Sequence, residues 1–91
     1  MDDKQNVSMN KDLVGKVIHY YDKAGVAIVK LDKNIKVGDM VKFTKGENSF
    51  EQTVESMQLD HKPVTSAKSG EEVAVKVNQE TKKGTQVYCL N

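Results

Sequence analysis

Arginine and tryptophan are absent from this sequence, and cysteine and proline occur once each, as Cys89 and Pro63. Arginine is the side chain that grips phosphate and guanine with a planar fork, so without it no sequence-specific reading of DNA is expected. A lysine-favouring genome accounts for the same absence equally well. A lone cysteine forms no internal disulfide. With no basic neighbour to activate it, Cys89 reads as a packed or frayed-end thiol rather than a redox centre. An excess of one charge is also missing: the 14 cations, all lysine, face 13 carboxylates, and the net charge of +1 sets up no global field for a polyanion. Long hydrophobic runs are lacking too. A stretch such as Val26-Ala27-Ile28-Val29 has the length of a strand, too short to span a bilayer, so no membrane role is expected. The start, Met1-Asp2-Asp3-Lys4-Gln5-Asn6, has no apolar core of a secretory signal, which makes the cytoplasm the expected compartment.

What is present describes one small globular domain. Of 91 residues, 37% are hydrophobic and 30% charged, too apolar for a disordered chain and too polar for a membrane protein. Residues 1–12 are polar and aperiodic and read as a flexible leader, with residues 13–91 as a β-barrel domain. From Leu13 onward, apolar runs alternate with turn signals at the spacing of a sandwich or barrel. Leu13 to Tyr20 and Val26 to Leu31 make a hairpin about the turn Asp22-Lys23-Ala24-Gly25. Met40 to Thr44 reads as a half-buried strand with Val41 and Phe43 on one face. Val73, Val75 and Val77 alternate cleanly, and Val87 to Leu90 closes the set. The segment from Phe50 to about Asp60 is ambiguous. Phe50, Val54 and Met57 stand at helical spacing behind a Ser49–Gln52 capping box, yet the alternation of Glu51, Thr53 and Glu55 suits a strand. Strand is the reading adopted, because the neighbouring β-segments need a partner for their edges.

A six-residue pattern, Lys-x-Gly-x-x-Val, occurs at Lys36–Val41, Lys68–Val73 and Lys82–Val87. A glycine three residues before an inward valine suits a turn whose central residue needs positive φ, after which the chain enters a strand in fixed register. Gly38, Gly70 and Gly84 are therefore read as corner glycines. A phosphate loop would instead cluster its glycines ahead of a helix.

At these corners the sequence resembles the β-barrel domain of translation factors, typified by the second domain of elongation factor Tu. It is closer still to the small barrel that ends collagenase-like peptidases. The residues that carry the resemblance are Val14-Gly15-Lys16-Val17 through Gly25-Val26-Ala27-Ile28-Val29, then Ile35-Lys36-Val37-Gly38-Asp39, Val54-Glu55-Ser56-Met57-Gln58 and Ala67-Lys68-Ser69-Gly70-Glu71-Glu72-Val73. The resemblance implies an all-β fold, a single closed six-stranded antiparallel Greek-key barrel of the translation-protein type. It also implies a binding accessory, associated with transfer RNA or ribosomal RNA or else docked on a larger enzyme or factor. The GTPase that accompanies such domains has no Gly-x-x-x-x-Gly-Lys-Ser/Thr loop here, and collagenase-like peptidases keep their chemistry in a separate domain.

The residues themselves point away from catalysis. No serine, histidine and carboxylate form a nucleophile motif, and Glu71 and Glu72, as strand neighbours, face opposite ways. No cofactor and no metal site are expected, since His19 and His61 are the only imidazoles. The sharpest binding candidate is His19, Tyr20 and Tyr21 with Lys23 in the following turn, flat rings beside a cation as in non-specific holders of single-stranded nucleic acid. The plainer reading gives one tyrosine to the core. Asp60-His61-Lys62-Pro63 reads as a charged loop that supplies contacts through His61 and Lys62 or serves as a stiff connector.

Overall fold

The structure is a computed structural model that describes residues 12–90. Apart from Asp12, the leader read from the sequence lies outside the described residues. Ten strands follow in chain order: β1 (Asp12–Tyr21), β2 (Val26–Leu31), β3 (Ile35–Lys36), β4 (Met40–Lys45), β5 (Asn48–Thr53), β6 (Met57–Leu59), β7 (Lys62–Val64), β8 (Ser66–Ala67), β9 (Glu72–Lys76) and β10 (Gln86–Cys89). Eight form one sheet in the order β5-β4-β10-β1-β2-β9-β6-β7, and β3 pairs with β8 in a separate ribbon. Every pairing is antiparallel.

The all-β expectation holds, but the closed six-stranded barrel does not. The terminal strands β5 and β7 share no ladder, so the sheet is open. The segment from Phe50 to Asp60 is extended, as read, but it breaks at residues 54–56 into β5, which pairs with β4, and β6, which pairs with β9 and β7. The stretch around Pro63 is a strand rather than a loop. Proline is tolerated there because β7 is an edge, where a missing N–H costs no ladder bond. Asp60 and His61, with φ of +55° and +66°, form the two-residue hairpin turn between β6 and β7.

One face of the sheet encloses a single core in which Val17, Val29, Leu31, Val41, Phe43, Val73, Val75 and Val87 are buried. Ile35 and Ala67, on the small ribbon, belong to the same core. Cys89 packs against it as a free thiol. Phe43 and Phe50, opposite each other on β4 and β5, stack with ring centroids 5.0 Å apart and planes 8° from parallel.

The three Lys-x-Gly-x-x-Val segments adopt one geometry. Gly38, Gly70 and Gly84 have φ of +100°, +92° and +94°. In each turn the N–H of the residue after the glycine donates to the lysine carbonyl at 3.1 Å: Asp39 to Lys36, Glu71 to Lys68, Thr85 to Lys82. Each turn also docks on one buried residue elsewhere in the chain, on β2, on β1 or just after β5. The glycine N–H donates to that residue's carbonyl, Val54, Leu31 or Val17, at 2.8–2.9 Å. The same residue returns its own N–H to the carbonyl of Asp39, Glu71 or Thr85, again at 2.8–2.9 Å. A side chain completes each corner. Asp39 accepts from the Lys36 N–H at 3.0 Å, Glu71 accepts from the Lys68 N–H at 2.8 Å, and the Thr85 hydroxyl donates to the Lys82 carbonyl at 2.6 Å. The corners thus extend three ladders by one pair and aim Val41, Val73 and Val87 inward.

Gln52 supplies the remaining tie. Buried on β5, it donates through Nε2 to the Lys76 carbonyl at 2.8 Å and accepts through Oε1 from the Asn78 N–H at 2.8 Å. Four strands separate β5 from β9 in the sheet order, so this amide bridges a seam brought together by curling of the sheet.

Two stability measurements test these devices. Nothing lies within 4 Å of a Cβ built on Gly70, so the cost of Gly70→Ala is conformational, and urea unfolding should show a loss of about 1–2 kcal/mol. A D-alanine introduced there by chemical synthesis should match or exceed the parent. Gln52→Leu removes partners from two main-chain groups at once. It should cost about 1–3 kcal/mol and accelerate hydrogen exchange at the Asn78 amide.

Candidate functional site

The residues singled out between His19 and Lys23 fall at the end of the β1–β2 hairpin, where a bulge decides their directions. The register of β1 against β2 shifts between Val17 and His19, leaving Ile18 as the extra residue. Strict alternation from buried Val17 would have sent His19 inward. The bulge reverses the parity, so Tyr20 packs against the core while His19 and Tyr21 stand exposed on the outer face. Their ring centroids are 4.5 Å apart at an interplanar angle of 56°. Tyr21 is 52% exposed, the most open large hydrophobic side chain among the described residues. Lys23 lies exposed in the turn that Gly25 closes with an N–H bond to the Tyr21 carbonyl at 2.9 Å.

Register extends this pair into a surface. His19 stands opposite Ile28, which stands opposite Ala74, and Tyr21 opposite Val26, which stands opposite Lys76. Ile28, Val26 and Ala74 are partly exposed, so the aromatic pair continues into an aliphatic tile across β1, β2 and β9. Below it, Lys16 faces Lys30 directly across β1 and β2, with Glu72 as the next residue in the row. Like charges placed opposite one another on a sheet repel. Among the described residues neither lysine forms an ion pair, so the row has cationic capacity to spare for a partner.

His61 and Lys62 do not join this surface. They occupy the β6–β7 hairpin, three strands along the sheet from β1. The pairing of Gln58 with Ala74 runs β6 so that its far end points away from the β1–β2 turn. The sequence thus singles out residues that fall in two separate places. It did not single out Ile28, Lys16, Lys30 or Ala74, because residues 26–29 are apolar throughout and carry no polarity contrast to tell the outer face from the inner.

A pair of substitutions tests the parity reversal. Tyr20→Ala should destabilise by about 2 kcal/mol or more through lost core contacts. Tyr21→Ala should change stability by no more than about 0.5 kcal/mol in the same thermal or urea titration.

Comparison with known proteins agrees with the fold. Residues 9–86 match the model of the peptidase family U32 C-terminal domain. An uncharacterized protease of Methanocaldococcus jannaschii is 40% identical over 78 residues, which is 85% of this chain and 19% of that protein. The chain therefore spans about a fifth of the length of this curated relative. The crystal structure of the C-terminal domain of a Geobacillus thermoleovorans protein assigned to the U32 peptidases superposes with a TM-score of 0.81 at 23% identity, covering 88% of this chain and 93% of that one. Its selenomethionine variant gives 0.79 at 23% identity, covering 84% and 96%. Of the two resemblances read from the sequence, the one to the domain that ends collagenase-like peptidases fits these matches, and the elongation factor Tu type finds no support in them. The chain belongs to the peptidase family U32 C-terminal domain.

Proposed function

We propose that this chain is a non-catalytic docking module that binds a larger protein of the U32 type, using the outer face of β1, β2 and β9. The observation that carries the reading is family membership: the same domain occupies about a fifth of a protease, 19% of its length, and so belongs beside a much larger body. The β1–β2–β9 face has the chemistry that such a body would engage. An exposed tyrosine with low conformational freedom sits at its hairpin end, aliphatic side chains continue the surface from it, and lysines line its margin. Lys16, Lys30 and Lys76 favour an acidic counterpart, which would relieve the repulsion within the row. The association with transfer RNA or ribosomal RNA that the sequence suggested first has no support from the family match. The separation of His61 and Lys62 from the His19–Lys23 group also leaves it a smaller basic surface.

The test is affinity purification of the tagged chain from its native cell, read by mass spectrometry and RNA sequencing together. A stoichiometric U32-family protein should co-purify, and Tyr21→Ala or the pair Lys16→Glu and Lys30→Glu should reduce its recovery by about tenfold. Recovery of transfer RNA in place of protein, lost in high salt, would instead favour the nucleic-acid reading.

A further inference from the structure

The sheet ends at β5, and hydrogen-bond parity shows which of its groups face outward from the edge. In a two-residue hairpin the closing pair is hydrogen-bonded, here Lys45 with Asn48, so Phe43–Phe50 and Val41–Gln52 are bonded pairs as well. The Val54 N–H donated to the Asp39 carbonyl continues the same parity. The main-chain groups of Ser49 and Glu51 therefore point away from β4, along the open edge. Gln52 pins the seam at the level of Lys76 and Asn78, and beyond that pin the chain from Gln79 to Lys82 diverges from β5. Between them lies a cleft of about 310 Å³. Phe43, Phe50, Thr81 and Thr85 are among its lining residues, and Lys45 and Lys82 stand exposed at its margin. Its volume is at the lower end of the roughly 300–1,000 Å³ typical of ligand pockets, enough for one large side chain rather than a cofactor.

We infer that the free edge of β5 and this cleft form a peptide site, which takes an extended segment of a partner protein as an added strand. The main chain of the segment bonds to Ser49 and Glu51, and one large apolar side chain enters the cleft against Phe50. Lys45 shares the face of Phe43 and Phe50, so a carboxylate two residues along from that side chain, on the same face of the segment, meets Lys45 and Lys82. Two cations against Glu80, the one carboxylate among the described residues that line the cleft, give this margin a positive balance and select an acidic segment. This site is separate from the β1–β2–β9 face, and its existence does not depend on that face being used.

The probe is a fluorescein-labelled octapeptide, Thr-Phe-Thr-Asp-Thr-Phe-Thr-Asp, whose phenylalanines and aspartates share one face of the strand, titrated into the full chain by fluorescence polarisation, with ¹⁵N amide shifts recorded in parallel. Saturable binding is expected, with shifts at Ser49, Glu51 and Thr81. Lys45→Glu with Lys82→Glu should weaken it by about tenfold. Ser49→Pro, which removes an outward N–H without touching the β4 ladder, should abolish it. If that variant does not fold, N-methylation of alternate amides in the peptide makes the same test from the ligand side, and one of the two methylation registers should lose binding. No saturation at millimolar peptide, equal affinity for both methylated registers, or shifts confined to β1 and β2 would overturn the inference. So would light scattering that shows the edge already taken by a second copy in a dimer lost with Ser49→Pro, or binding that appears only once residues 1–11 are removed.

Discussion

The exchange of two hydrogen bonds between a glycine corner and one buried residue is the interaction on which the rest of this small fold depends. Val54, Leu31 and Val17 each accept from a corner glycine and donate to the residue after it. These three residues sit in the core, each about 1% exposed, where an unpaired peptide group would be expensive. Each corner therefore does two things at once. It satisfies a buried main-chain pair, and it delivers Val41, Val73 or Val87 to the interior in a register set by that pair. The left-handed φ of the glycine is what allows its N–H and the next carbonyl to meet the same partner residue. Because the partners lie on β1, at the end of β2 and just after β5, the corners tie together segments far apart in the chain.

A chain of this size has little core to spare, so local irregularities in the sheet carry architectural weight. In β1 the register shifts twice, near Gly15 against β10 and near Ile18 against β2. Gly15 is where β2 passes too close for any side chain: a Cβ there would lie 2.6 Å from the Lys30 carbonyl oxygen. The bulge at Ile18 turns Tyr20 inward and Tyr21 outward. Gln52 then holds the curled sheet at its seam with a side-chain amide in the place of a ladder, which is why the sheet can bend around one core without closing. The same choice leaves the β5 edge beyond Gln52 open, whereas the other edge, β7, carries Pro63 and so offers one fewer donor to a stray strand.

These features accord with the proposed docking on a larger protein. A family member of which this chain matches 19% carries the domain within a protease. An outer face with an exposed aromatic pair, a neighbouring row of unpaired lysines and a free edge strand beside a cleft are each a surface that a lone domain does not need for its own stability. The fold by itself does not choose a partner, since one architecture serves many purposes; the chemistry of those surfaces and membership of the family are what favour docking.

Much of this was legible without coordinates. The repeated Lys-x-Gly-x-x-Val pattern locates the corners, because glycine is the residue that positive φ admits without penalty. The alternation in 72–77 locates β9, because a half-buried strand shows its period of two, and the β-branched apolar run 26–29 locates β2. Membership of a barrel-like, all-β family could be read from the order of these same segments. Three other things are decided by distant parts of the chain and left no local trace. Whether the sheet closes depends on β5 and β7, which fail to meet. The identity of the strands around Pro63 depends on their lying at an edge. The direction of His19, Tyr20 and Tyr21 depends on a bulge against β2, and a bulge is a property of two paired strands that neither strand's own pattern contains.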